Sequence, residues 1–523
     1  MLDFDVQTGA LRPGAKFLKQ GIGKTVSSYA MGVEDLGPES SPQDFEDDGF
    51  VQISTFACVA KTLAYFEGPE ILGRRIRWAF PSEQLLVVPR AGELRNAYYE
   101  RESGSLQFFY ERAANGHTVY TALSHDIVVH ETTHAILDAL APDLYNTITP
   151  QSLALHKAIA DLAAISQTLT NEMVLFSVDM LTNSQLDKVD LLSWLAEEFG
   201  SDLRHPDGAS FLRRMKNSKT LNPAEPGADE LGQALLVHEA DPHALSQMLS
   251  GALFNVFENR IRNTTRAGGW GGPNLDETFL PAARRVARIV FRALDYLPPN
   301  KTSFVDYSRA FLAVAAATYS RLQREQHWMR EEFLARHIVS SQSQLDIGFD
   351  PPPGPAVNPE ALVSGQGAAE KFVARNRGWF GIPNEVDYVV LPRAVAARSL
   401  GSQRPCDRRR ELLLRVRWET TEWHRLSRGL PRHWRVPCGT TVVLDLDSGR
   451  VLSRLTTDHD ERHRRHRRTM LERWAAQGRL LRDADAKGPD GRQLSDMIVA
   501  TSGPGGSRAL GSARTLHLCP ESP

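Results

Sequence analysis

Apolar residues recur at helical spacing in the first clearly patterned stretch of the chain, which ends near residue 66. They lie three or four positions apart, on one face of an amphipathic helix: Ile53, Phe56, Ala57, Ala60, Leu63 and Ala64. Four short segments follow in which strand-forming residues are separated by clusters of Gly, Pro, Asn and Ser, at 75–80, 85–88, 96–99 and 106–110. This pattern predicts short β-strands.

Longer periodic stretches dominate from Ser124 to about residue 340. They predict helices at 125–140, 152–181, 243–261, 279–294 and 304–337. The run Asp350-Pro-Pro-Pro-Gly-Pro355 cannot continue a helix and predicts a stiff linker. Beyond it, strands are predicted at 412–418, 441–446 and 451–455, with a hairpin turn at 447–449.

This order of elements predicts an α+β protein with six segments. They are a β-containing lead-in (1–50), a β-rich lobe with the 125–140 helix (51–150), a helical lobe (151–345), a Pro/Gly-rich linker (346–368), a small α+β domain (369–483) and a flexible tail (484–523). The pattern leaves open whether the lead-in is inhibitory.

Composition narrows the class of protein. At 523 residues, with 41% hydrophobic and 24% charged residues, the chain has the make-up of a soluble globular protein with two or three domains. A net charge of −2 gives no overall attraction to nucleic acid or to an anionic membrane. Apolar runs fall short of the roughly 18 residues that span a bilayer, so no membrane span is expected.

Two local features bear on location and partners. The first ten residues lack the pattern of a secretory signal, and the four cysteines are scattered, so we expect a cytoplasmic protein with reduced thiols, leaderless export being left open. The basic segment 462–468 is typical of a solvated or salt-bridged helix face. The alternative is a surface for an acidic partner such as nucleic acid or phospholipid.

The segment with the clearest chemistry is His130-Glu131-Thr132-Thr133-His134. On a helix, residues i and i+4 share a face, so both imidazoles can reach one metal ion. Glu131 lies beside that ion, where a carboxylate can take a proton from an activated water. The motif predicts a zinc site with His130 and His134 as ligands and Glu131 as general base.

With the four residues that follow it, this segment resembles the HExxHxxxD stretch of the thermolysin-like (gluzincin) metallopeptidases, in which Asp138 is the final acid. The resemblance covers about residues 50–340. It implies a thermolysin-like fold, with a β-rich N-terminal lobe, a mainly helical second lobe and the active-site helix between them. It also implies Zn²⁺ as cofactor and a peptide or protein as substrate.

Three further segments are similar to parts of that family. Asn96-Ala97-Tyr98-Tyr99 resembles the edge strand whose backbone pairs with an extended substrate. The stretch 155–161 resembles the helix with an ExxxD pattern, whose Asp, here Asp161, hydrogen-bonds a ligand histidine. Asp138, at the end of the HExxHxxxD stretch, is implied to have a comparable supporting role. Asp241-Pro242-His243 precedes a helix ending at 250–252 and resembles the segment whose histidine stabilises the tetrahedral intermediate.

The chain departs from the family at the position of the third zinc ligand. Lys157 stands where the ExxxD pattern has Glu, and a protonated amine cannot coordinate zinc. His156, Asp161 and Glu239 are candidate replacements, but His156 is about 100° away round the helix. Alternatively, the Lys157 ammonium fills the place of the metal and pairs with Glu131.

Two functions therefore follow from the sequence. One is a zinc-dependent peptidase in which metal-activated water attacks the peptide bond, with Glu131 and His243 as catalytic residues. The other is an inactive scaffold of the same fold that binds peptides or regulates a partner.

Overall fold

The structure is a computed structural model that describes most of the chain between residues 48 and 512. The described residues are 48–94, 96–112, 118–145, 150–169, 194–195, 213–221, 242–267, 280–299, 302–319, 323–347, 358–399, 408–423, 433–457, 464, 468, 472, 480–481, 498–502 and 508–512.

These residues form a mixed α and β structure, as the sequence predicts. The helices are α1 (Asp48–Glu67), α2 (His125–Leu140), α3 (Pro142–Tyr145), α4 (Pro150–Thr168), α5 (Pro242–Ala267), α6 (Leu280–Tyr296), α7 (Phe304–Thr318), α8 (Gln323–Ala335), α9 (Pro359–Ser364) and α10 (Gln366–Arg375). Short 3-10 turns lie at Thr121–Leu123 and Gln342–Leu345. In the described part of the chain, no helix has the length and apolarity to cross a bilayer.

The strands fall into an early and a late group. The early group is β1 (Leu86–Val88), β2 (Ala97–Glu100), β3 (Ser105–Phe108), β4 (Tyr110–Arg112), β5 (Thr118–Tyr120), β6 (Trp194–Leu195) and β7 (Arg213–Arg214). The late group is β8 (Tyr388–Val390), β9 (Ala394–Ser399), β10 (Arg408–Trp423), β11 (His433–Asp445), β12 (Val451–Thr456), β13 (Leu480–Leu481), β14 (Ile498–Ser502) and β15 (Arg508–Ser512).

The first sheet has the strand order β1-β3-β2. Strand β1 runs parallel to β3, and β2 runs antiparallel to it with Ala97 opposite Phe108 and Glu100 opposite Ser105. Among the residues that the structure describes, strand β2 is thus at the edge of this sheet, and it lies beside α2. The arrangement places the backbone of residues 97–100 next to the helix that carries the HExxH motif.

One hydrophobic core joins this sheet to the helices. Helix α2 packs between α1 and α4, and α4 also packs on α5 and α6. The core includes Phe66 of α1, Ile136 of α2, Ile159 of α4 and Phe311 of α7, all fully buried. Helix α2 therefore lies in the middle of the fold.

The late strands form one eight-stranded sheet, here called the C-terminal sheet (β8–β15), built on the long antiparallel pair β10–β11. Alternate residues of β10 point to opposite sides of a sheet. Leu413 belongs to the main core, whereas Leu412 and Leu414 pack with α9 and α10 in a second core. Strand β10 is therefore covered on both faces at residues 412–414.

Two predicted elements are wrong. Residues 75–80 form no strand, although Ile76, Trp78 and Phe80 alternate into the core, and the Ile76 N–H donates to Glu67 Oε1 at 2.8 Å. The single helix predicted at 304–337 is two helices, α7 and α8, because α7 ends at Tyr319, whose N–H bonds to Ala315 O.

Three predicted boundaries also need correction. Residues 48–50, assigned to the lead-in, begin α1, and the rest of 1–50 lies outside the described residues. Residues 359–364 and 366–368, assigned to the linker, are helical, since Asn358 caps α9 with Pro359 in the first turn. Strands β14 and β15 lie in the segment predicted as a flexible tail, and β15 pairs with β11.

Candidate metal centre on the buried helix

Helix α2 spans the predicted residues 125–140 and is buried along most of its length. Two threonines in the middle of the motif are fully buried without loss of hydrogen bonding. The Thr132 hydroxyl donates to Val128 O at 2.7 Å and the Thr133 hydroxyl donates to Val129 O at 2.8 Å. The HExxH sequence can therefore occupy a core helix.

The two histidines of the motif converge as predicted from their spacing. Their rings lie nearly perpendicular with centroids 4.6 Å apart, and Nε2 of His130 is 2.9 Å from Nε2 of His134. Two nitrogens bound tetrahedrally to one zinc ion would be about 3.3 Å apart, given a zinc–nitrogen distance of about 2.0–2.1 Å. The observed separation is close to that value.

The other ring nitrogen of His130 is held by α4. Its Nδ1 lies 2.8 Å from Oδ1 of Asp161, which is 1% exposed. A carboxylate in this place fixes the tautomer and raises the basicity of the opposite nitrogen. Asp161 is one of the proposed substitutes for the third ligand. It faces Nδ1 of His130, away from the two converging Nε2 atoms.

His156 contacts the second histidine of the motif. Its ring stacks on His134 with centroids 4.7 Å apart and planes 20° from parallel, and the two Nδ1 atoms are 2.5 Å apart. Burial and then the charge of Lys157 lower the pKa of His156 to about 3, so its imidazole is neutral at neutral pH. His156 lies on the Nδ1 side of His134, which does not suit it as a third ligand on the Nε2 side.

Glu131 completes a group of three side chains that could hold a metal ion. Ligand atoms of His130, Glu131 and His134 lie within 4.8 Å of one another, and all three residues are buried. Lys157 is 6% exposed, and its charge contributes to lowering the pKa of His156, the residue that contacts His134. Glu239 is outside the described residues.

The donor set fits a divalent cation in part. Two imidazole nitrogens face each other, each ring has its other nitrogen engaged, and a carboxylate lies within reach, which is the chemistry that zinc prefers. A catalytic zinc ion usually has three protein ligands. Within the described residues, only Glu131 joins the two histidines as a ligand-type group.

Asp138 lies one turn beyond His134 and faces β2. It accepts hydrogen bonds from the Tyr99 hydroxyl at 2.7 Å and from Arg101 Nε at 2.8 Å. Burial raises the pKa of Asp138 above its usual value, although Arg101 and Tyr99 act in the opposite direction. Asp138 therefore joins α2 to the edge strand.

Asn96 and Ala97 lie at the start of that strand, and both are 7% exposed. The Asn96 carbonyl accepts from Phe109 N–H at 3.1 Å, on the side of β3. Backbone groups of successive residues point to opposite edges of a strand, so those of Ala97 point away from β3. The Asn96 side chain accepts from the Ala97 N–H at 2.8 Å.

His243 lies in the first turn of α5, and its side chain is outside the described residues. This helix, predicted at 243–261, runs from Pro242 to Ala267, so it does not end at 250–252 as the resembled segment would. Ser250 and Gly251 are thus in its interior, where Gly251 allows close approach of Arg336 and Asn217.

Two members of the basic segment 462–468 are described. Arg468 Nε bonds to Glu472 at 2.9 Å, and Arg464 Nε is 3.9 Å from Glu422. Both contacts suit a salt-bridged surface. An acidic partner for this segment stays a prediction.

Sequence reasoning missed three contacts of α2. They are the contact of His156 with His134, the group formed by Tyr99, Arg101 and Asp138, and a hydrogen bond from Arg415 of β10 to Leu140 O at the end of α2. Only the contact of His156 had a signal in the sequence, because His156 lies beside Lys157 on the predicted helix that carries Asp161.

Comparisons with known proteins add little to this geometry. The chain matches no protein-family model and no curated protein. Among solved structures, it is similar to the precursor of protealysin, a metalloproteinase from Serratia proteamaculans, at 13% identity. That likeness covers 59% of this chain and 83% of the other, with a TM-score of 0.34.

Proposed function

We propose that the protein is a zinc-dependent peptidase. The observation that carries the proposal is the convergence of the Nε2 atoms of His130 and His134, with Asp161 on the remaining nitrogen of His130. Both imidazoles lie on a buried helix, and the Nδ1 atom of each contacts a neighbouring side chain, which leaves the two Nε2 atoms facing each other. This arrangement suits metal binding rather than packing.

Each residue of the site has a part in the proposed reaction. His130 and His134 hold the ion, which would supply Lewis acidity toward water and the peptide carbonyl. Glu131 takes a proton from the attacking water and passes it to the leaving amine. His243 is proposed to stabilise the oxyanion of the tetrahedral intermediate.

The substrate is proposed to bind as an added strand along β2. Strand β2 is an edge strand of its sheet, and the backbone groups of Ala97 point away from β3. An extended peptide can pair with such an edge through main-chain hydrogen bonds. In doing so it would displace the Asn96 side chain from the Ala97 N–H.

Lys157 favours a second candidate function. Lys157 is buried and occupies the position where the resembled family has its third zinc ligand. A protonated lysine would repel a metal ion held a few ångströms away by several kcal/mol, even at an effective dielectric of about 20. On this alternative, the protein is an inactive peptidase-like scaffold that binds peptides or regulates a partner.

Metal analysis of the purified full-length chain, combined with two variants, tests both functions. The peptidase proposal expects near-stoichiometric zinc and peptide cleavage that Glu131→Gln lowers by about 10²- to 10⁴-fold without unfolding the protein. Zinc-free protein that gains zinc through Lys157→Glu would favour the inactive scaffold. Cleavage undiminished in Glu131→Gln would contradict the peptidase proposal.

The matched control for the lysine variant is Lys371→Glu, because Lys371 is exposed on α10. It makes the same charge change outside the metal group and is expected to leave zinc content unchanged. A gain of zinc in both variants would mean that net charge, rather than position 157, controls binding.

A further inference from the structure

The last turn of the HExxH helix is held by the C-terminal sheet. Arg415 of β10 donates from Nη1 to the carbonyl of Leu140, the last residue of α2, at 2.7 Å. Final carbonyls of a helix lack partners within the helix and form the negative end of its dipole. A guanidinium at this place satisfies one carbonyl and complements that charge.

Arg415 stands on a strand that is itself fixed to the rest of the fold. Leu413 and Val443 of the C-terminal sheet belong to the main core, and the Thr441 hydroxyl donates to Leu297 O at 2.6 Å. Strand β9 pairs by its backbone with the loop after α1, where Ala397 N–H donates to Gly73 O at 2.8 Å. Gly73 has φ +62°, and a Cβ there would overlap Ala397 O.

The contact lies near the candidate ligands. Leu140 is six residues after His134, or about 9 Å along the helix at a rise of 1.5 Å per residue. An α-helix moves as a stiff body over this distance, so a shift of its last turn also shifts the imidazoles. Metal sites tolerate displacements of only about 0.5 Å.

We propose that Arg415 is a positioning residue for the metal centre and that the C-terminal sheet is part of the scaffold of the candidate active site. This inference rests on the proposed zinc function. It gives the C-terminal sheet a task inside the same molecule, which the sequence did not suggest.

The test replaces Arg415 by Met, which keeps much of the stem and removes the charge and the donor. Zinc affinity, measured by competition with a chromogenic chelator, is expected to fall about tenfold, in the range seen for supporting residues of metal sites. Hydrogen exchange is expected to accelerate in peptides covering 125–141 and to stay unchanged in peptides covering α7.

Two variants serve as controls. Arg410→Met lies on the same strand, where Arg410 forms an exposed pair with Asp447, and is expected to behave like the wild type. Arg415→Lys keeps the charge with a shorter reach, so its losses should be intermediate. If Arg415→Met does not fold, Arg415→Lys decides alone.

The proposal would be overturned if Arg415→Met binds zinc as tightly as the wild type, even where its thermal stability falls. If that variant does not fold, the same result in Arg415→Lys would overturn it. Hydrogen exchange that stays unchanged in peptides covering 125–141 would also overturn it. A wild-type protein that binds no zinc contradicts the proposed function instead. Exchange in 125–141 does not require zinc and would still show whether Arg415 restrains α2.

Discussion

The imidazole of His156 orients His134 through a single nitrogen. Because burial and Lys157 hold the pKa of His156 at about 3, its ring is neutral and its Nδ1 can accept the Nδ1 proton of His134. That leaves the Nε2 lone pair of His134 for a cation. Spacing on α2 predicted the two motif histidines, but the contact with His156 depends on how α2 and α4 pack, which spacing does not contain.

Replacing His156 by Ala removes the acceptor and is expected to lower zinc affinity by about 10- to 100-fold. His156→Asn is the matched variant, since its amide oxygen lies near the place of Nδ1 and should recover part of the loss. Zinc titration of both variants, with circular dichroism to check folding, gives the answer. Equal affinities for wild type and His156→Ala would show that the ring only fills space.

At the scale of elements, α2 is tied to the edge strand β2 by the buried group of Tyr99, Arg101 and Asp138. Arg101 also donates to Pro142 O at 2.9 Å, just beyond the end of the helix. The ends of β2 and α2 are thus joined through charged hydrogen bonds. This contact sets the distance between the candidate substrate edge and the candidate metal ligands.

Tyr99→Phe removes the hydroxyl that donates to Asp138 and should cost about 1–3 kcal/mol in the free energy of unfolding, because a buried charged acceptor loses a partner. Tyr98→Phe is the control on the same strand, since the Tyr98 hydroxyl bonds to Gln107 Oε1 in a less buried place. Chemical denaturation compares the two. A larger loss for Tyr98→Phe would contradict the assigned role of Tyr99.

Elements were predictable where apolar residues recur at a regular spacing along the chain. Helix α2 matches its predicted bounds. Helix α1 was also predicted, but the residues predicted for its buried face are partly wrong. Ala57 and Ala64 are exposed, whereas Thr55 and Thr62 are buried because their hydroxyls donate to backbone carbonyls one turn earlier. Side-chain hydrogen bonding of this kind cannot be inferred from hydrophobic spacing.

At the scale of the whole molecule, a buried arginine network joins the C-terminal sheet to α6 and the loop after α1. We define it as Arg74, Asp295, Arg398, Arg409 and Glu411. Arg398 pairs with Asp295 and bonds to Glu411 at 2.7 Å, and Arg409 also pairs with Glu411. Arg398, Asp295 and Glu411 are at most 1% exposed, so each charge depends on its partners.

Glu411 gives this network a pH dependence. Burial raises its pKa, but the charges of Arg398 and Arg409 outweigh burial and hold it below the usual 4.5. The folded state therefore binds a proton at Glu411 less readily than the unfolded state does. The stabilisation is fully present above pH 4.5 and is lost as the pH falls toward the lower folded-state pKa.

Glu411→Gln should destabilise the protein by about 3–5 kcal/mol at pH 7, because it breaks a buried pair, and should flatten the fall in stability below pH 4.5. Asp447→Asn, which breaks the exposed pair with Arg410, is expected to change stability by less than about 1 kcal/mol. Denaturation curves from pH 3.5 to 7 measure both. An unaltered acid profile in Glu411→Gln would refute this account.

The contacts between distant parts of the chain escaped prediction. A proline-rich stretch at 350–355 suggested a separate C-terminal domain, yet Leu413, Val443 and Leu455 complete the main core. The consecutive leucines 412–414 indicate a strand with two apolar faces. Which partner each face would meet is decided by tertiary packing, and one sequence does not carry that information.

The dependence of the core on Leu413, Val443 and Leu455 affects folding during synthesis. When residue 345 has left the ribosome, the nascent helices still lack the strands that cover Leu297, and the end of α2 lacks Arg415. Apolar surface therefore stays bare until about residue 455 has emerged, a period in which chaperones can bind. The surroundings of the candidate metal centre are complete only after most of the polypeptide has been translated.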